Sequence, residues 1–169
     1  MIVCNCLMVF MFSCVNGEKN YDYVDEVHKI IGEVSNEMKK EKLHLIGSGG
    51  ALKDCIEVVT LTYIVYENFS EEQVTHWICV IMDKMITKIL SSKIASGHLC
   101  SKGFNTKNVY ITIYNNLEDN DINMASVSKD VIEFEKFSNI ELKTKKNYEK
   151  NFTSIYLKYL ENNTHGSGP

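Results

Sequence analysis

The chain has 169 residues, 44% of them hydrophobic and 24% charged, with a net charge of −4, which suits one domain able to bury a real core. Acidic and basic residues are interspersed without a basic stripe, so nucleic acid is not an expected partner. All 18 basic residues are Lys, which removes the guanidinium clamp for carboxylate or phosphate from the available chemistry.

Residues 1–16 carry no charged side chain, and the chain turns polar at Gly17-Glu18-Lys19-Asn20. The run falls short of the roughly 20 residues that a helix needs to cross a bilayer but suits the apolar region of a secretory signal. Ser13 supplies the small residue that a lipid-accepting cysteine requires before it, so Cys14 is the expected lipidation site and the membrane an expected partner through that anchor. No Lys or Arg precedes the run, which leaves a buried N-terminal helix as the competing reading. Removal of the signal leaves a single α+β domain over residues 20–161 and a tail, 162–169, with nothing apolar to bury and expected to be disordered.

Val24, Val27, Ile31, Val34 and Met38 alternate at spacings of three and four, which predicts an amphipathic helix over 22–41. Leu43-His44-Leu45-Ile46 then reads as a short strand, Gly47-Ser48-Gly49-Gly50 as a turn, and 56–66 as a longer strand rich in β-branched and aromatic residues. Ser70 and Gln73 form a capping box, Phe69 and Val74 a hydrophobic staple, and both open a helix predicted to run to about Lys93. Its stripe of Val74, Trp77, Ile78, Ile81, Met82, Met85, Ile89 and Leu90 makes it the expected pillar of the core.

Val109 to Tyr114 alternates as a half-buried strand. Met124–Val127 and Val131–Phe134 predict a hairpin about Ser128-Lys129-Asp130, Ile140 to Lys143 a further strand, and Tyr148 to Leu160 a return to helical spacing. This order of elements predicts a two-layer α+β fold, an antiparallel sheet with helices mainly on one face.

The stretch Leu43 to Gly50, followed by Asp54 and the strand from Ile56, resembles an uncharacterised family of small lipoproteins of Chlamydia-like bacteria. Phe104-Asn105-Thr106-Lys107-Asn108-Val109-Tyr110-Ile111 is similar to that family's phenylalanine–threonine turn and following strand, although Gly103 stands where a proline is expected. The resemblance covers about residues 40–135. It implies an exported, envelope-associated protein and transfers no active site.

Few residues invite chemistry. Gly47, Ser48, Gly49 and Gly50 with Lys53 and Asp54 are the candidate ligand turn, because successive glycines let backbone amides converge on an anion. The helix and Lys-Ser/Thr pair of a phosphate loop are missing, which favours a structural turn. Cys55, Cys79 and Cys100 read as buried hydrophobes in preference to one bridged pair and one free thiol. His44, His76 and His98 have no spacing that makes a metal set or a Cys–His dyad with them. Tyr110 and Tyr114 share one strand face, as a glycan or partner surface or as packing. The expectation is therefore an exported protein without catalytic residues, cofactor or metal, binding a protein or envelope component; the alternative is a small-ligand binder or enzyme built on the glycine turn.

Overall fold

The computed structural model describes residues 22–101, 103–117, 122–136 and 146–164. Along the described chain run α1 (Asp22–Met38), β1 (His44–Ala51), β2 (Val58–Val65), α2 (Glu71–Ser91), α3 (Lys93–Ser96), β3 (Val109–Asn115), β4 (Met124–Ser128), β5 (Val131–Lys136), β6 (Lys146–Asn151) and α4 (Phe152–Thr164). The six strands lie side by side in sequence order. Every neighbouring pair is antiparallel except β2 and β3. A parallel pair needs a crossover, and here α2 and α3 provide it. The architecture is the expected α+β fold.

The second helix begins as its sequence dictates. The Gln73 amide donates to Ser70 Oγ at 3.2 Å, and the Ser70 amide donates back to Gln73 Oε1 at 2.9 Å. Phe69 is buried beside it, its ring 5.7 Å from Trp77. Val74, Ile78, Ile81, Met82, Met85 and Ile89 are fully enclosed. They meet the inward side of the sheet, where Val59, Leu61, Tyr63 and Val65 of β2 and Val109, Ile111 and Ile113 of β3 alternate with outward residues. Burial of such side chains at about 1.5–3 kcal/mol each is the main stabilising term.

Helix α1 lies antiparallel to α2. Lys84 pairs with Glu37, Lys88 with Glu33, and Ser92 Oγ donates to Glu26, so contacts climb one helix as they descend the other. Its apolar face, Val27, Ile30, Ile31, Val34 and Met38, joins the core, and Ser35 Oγ lies 3.2 Å from the buried Tyr63 hydroxyl. Helix α4 closes the other flank with Phe152 and Tyr156, whose hydroxyl donates to Asp83 of α2 at 3.1 Å. The described helices thus cover one side of the sheet.

Several local expectations are corrected. Gly47 to Gly50 form no turn: β1 continues through them, with a bulge between Leu45 and Gly47, and the chain reverses only after Ala51. The helix predicted to about Lys93 stops at Ser91, because Ser92 turns extended and caps a new turn through the Ala95 amide. Leu90 is 45% exposed, at the edge of its stripe. Tyr148 belongs to strand β6, pairing with Phe134, and helix begins only at Phe152. Residues 162–164, expected in a disordered tail, form the last turn of α4. The predicted hairpin is present as β4–β5, with Lys129 (φ 49°) and Asp130 (φ 69°) both left-handed, as a two-residue primed turn requires. Residues 1–16 with Cys14, Ile140–Lys143 and 165–169 lie outside the described residues.

Candidate functional site

The glycine segment is a strand edge, with Lys53 and Asp54 exposed in the turn behind it. Gly47, Gly49 and Gly50 pair with Thr62, Thr60 and Val59 of β2. Only Gly50 is held to glycine by the fold: its φ is +149°, and a Cβ there would come within 2.0 Å of the Val58 carbonyl oxygen. The turn itself is held from above, where the Tyr23 hydroxyl of α1 lies 3.0 Å from the carbonyl oxygens of both Leu52 and Lys53. An open hollow of about 620 Å³ lies elsewhere, between the start of α2 and the start of α4, lined by Ser70, Glu71, Thr75, Lys150 and Lys158. The Lys150–Glu71 ion pair spans part of it.

Cys55 and Cys100 are joined in a disulfide, and Cys79 is buried and free. This corrects the expectation of three separate buried thiols. Sequence spacing could not reveal the pair, because 45 residues separate its members. The backbone brings them together: the Ile56 amide donates to the His98 carbonyl at 2.7 Å, and the Cys100 amide donates to the Ile56 carbonyl at 3.1 Å. Burial, with Asp83 adding to it, pushes the Cys79 thiol up to about 12. It stays protonated at neutral pH and is a poor nucleophile.

The histidines do not converge. His98 stacks on Tyr23, with 4.7 Å between ring centroids, and its Nδ1 lies 2.9 Å from the Ile94 carbonyl oxygen. His44 meets Tyr66 edge-on, and His76 lies beside Tyr159. Among the described residues no three His, Cys, Asp or Glu side chains gather as a metal set.

What the sheet does assemble is a surface. The register aligns Gly47, Thr62, Thr112, Ser126, Glu133 and Glu149 in one row across all six strands, on the side that no described helix covers. Beside this row, Thr60 is level with Tyr110, and Ile64 with Tyr114 and Met124. Tyr114 is 41% exposed, while Tyr110, Thr60, Thr62, Thr112 and Ser126 are half-buried. Two tyrosines four residues apart on a strand stand about 13 Å from each other, with three neutral hydroxyls in the row between them. Aromatic rings flanking small hydroxyls supply stacking area and hydrogen bonds, and Glu133 and Glu149 continue the row with two carboxylates. Alternation from Val109 to Tyr114 placed Tyr110 and Tyr114 on one strand face, but the row depends on strand register, which sequence did not reveal. No known protein family, characterised protein or solved structure matches the chain.

Proposed function

We propose that this is an exported protein, lipid-anchored at Cys14 or secreted, that works by binding a protein or envelope component on the sheet face that no described helix covers, and not by catalysis. The observation that carries the binding part is the asymmetry of the sheet, packed by helices on one side and presenting Tyr110, Tyr114, Thr62, Thr112 and Ser126 on the other. Export is supported by the uncharged segment 1–16 and by the Cys55–Cys100 disulfide, a bond that persists in oxidising compartments and is rare in a reducing cytosol. The resemblance to small lipoproteins of Chlamydia-like bacteria points the same way. Binding is tested by tyrosine nitration of the purified protein and of the protein in its intact native setting. Protection of Tyr114, which is 41% exposed in the isolated fold, in the native setting is the expected result. Equal nitration in both settings overturns the proposed face.

A further inference from the structure

Strand β1 ends the sheet, and among the described residues nothing pairs with its outer side. An unpaired edge is a template for another strand, and folded proteins guard it with charges, Pro, a bulge or a cover. The opposite edge is guarded: β6 contains Lys146, Glu149 and Lys150, the last ion-paired to Glu71. From His44 to Ala51, β1 has no Asp, Glu, Lys or Pro, and it is largely exposed. Its one guard is the bulge at Ile46, which shifts the register between Leu45 and Gly47 and leaves Gly47–Ala51 as the longest uninterrupted run.

Within that half the glycines fall into two kinds. Gly50 is demanded by its own fold, as shown above. Gly49 is not: a Cβ there meets nothing within 4 Å, and a Cβ on Gly47 meets only Thr62 at 3.7 Å, an ordinary contact. Neither has a left-handed φ. Glycine in a strand interior weakens it, and such a residue often marks the close approach of another backbone.

We propose that β1 pairs antiparallel with β1 of a second copy, about a two-fold axis through Gly49, joining two six-stranded sheets into one. Gly47 then faces Ala51, Ser48 faces Gly50, and Gly49 faces itself, so every cross-strand pair is small and uncharged. The Ala51 carbonyl accepts from the Glu57 amide and so points inward. Strand alternation turns the Ser48 and Gly50 backbone groups outward to bond across the axis. Gly49 meets its counterpart as a non-hydrogen-bonded pair, where Cα atoms approach to about 4.5 Å and side chains are closest. The two-fold contact closes on itself, while the charged β6 edge opposes head-to-tail growth. The two faces that no described helix covers come to lie on the same side of the joined sheet.

Sedimentation velocity of the full chain across a concentration series tests this. The parent is expected to show a reversible monomer–dimer equilibrium. Gly49→Lys and Gly49→Glu, each tolerated by the open space at that Cβ, are each expected to weaken association by at least about tenfold through like charges facing one another. An equimolar mixture of the two is expected to restore the dimer. A parent that stays monomeric overturns the proposal, as does a Gly49→Lys dimer of parental strength, which would place association elsewhere, including the apolar N-terminal segment. Failure of the mixture to recover overturns the two-fold at Gly49. Amide exchange keeps the proposal testable if a variant misfolds: Ser48 and Gly50 of the parent should gain protection with concentration, and protection independent of concentration contradicts the pairing.

Discussion

Reducing the Cys55–Cys100 bond, or replacing both residues by Ser, should lower stability mainly by releasing the unfolded chain. The bridge closes a loop with 45 residues of separation, enclosing β2, α2 and α3. Chain-entropy scaling gives about 4 kcal/mol for a loop of that size, an upper figure because unfolded chains retain structure. The folded state has little reason to rearrange without it. Ile56 is buried and bridges to Leu99, and the amides of Ile56 and Cys100 are bonded across the same junction. We therefore expect a loss of about 2–4 kcal/mol with unchanged far-ultraviolet circular dichroism. At a urea dependence near 2 kcal/mol per molar, that moves the midpoint down by roughly 1–2 M. Urea melts of the oxidised, reduced and Cys55→Ser/Cys100→Ser proteins read it directly. A midpoint that moves by less than about 0.3 M would show that the loop is constrained without the bond and that chain entropy is not what the bridge supplies.

Three further outcomes are expected. Gly50→Ala should cost well over the roughly 1 kcal/mol of a compatible backbone substitution, because its Cβ would strike the Val58 carbonyl, while Gly49→Ala should leave monomer stability near the parent; equal urea midpoints would contradict the φ at Gly50. Ile81→Ala, at a fully buried site, should lose about 2–5 kcal/mol against about 1 kcal/mol for the cap removed by Ser70→Ala, and the reverse order in urea melts would mean that the face of α2 is misassigned. Burial tends to raise the Asp130 carboxyl, but hydrogen bonds from Thr106, Thr153 and Lys107 and the charge of Lys107 outweigh it and hold the carboxyl below its ordinary value of 3.8. The stability it contributes is thus present above that value and lost as the pH falls through its lowered one, so acid melts of Asp130→Asn should converge with the parent at low pH, and a constant gap would contradict the linkage.

Local signals in the sequence proved the most legible. Ser70 and Gln73 announced the start of α2 because a capping box needs only four consecutive positions, and Ser128-Lys129-Asp130 announced a hairpin because it is a short polar break between two strand-like runs. The alternation from Val109 to Tyr114 separated the two faces of β3, whereas the β-branched and aromatic run of 56–66 announced β2 without assigning its faces. Gly47 to Gly50 misled because glycine is permitted in turns and at strand edges alike, and only pairing with Val59, Thr60 and Thr62 decides between them. Tyr148 sat at helical spacing from Phe152 by coincidence; its ladder with Phe134 is a long-range pairing invisible to local periodicity. The Cys55–Cys100 bond and the Thr62–Thr112–Ser126 row share that origin, since each depends on how distant segments meet. The candidate surface was therefore foreseen only as two tyrosines on one strand.

Export into an oxidising compartment is read out by mass spectrometry of the protein isolated from its native host under thiol trapping. The expected species is a mature chain that begins at or after Cys14, with acyl chains on Cys14 if it is anchored, and a Cys55 peptide linked to the Cys100 peptide. An intact chain beginning at Met1, with Cys55 and Cys100 both trapped as free thiols, would contradict it.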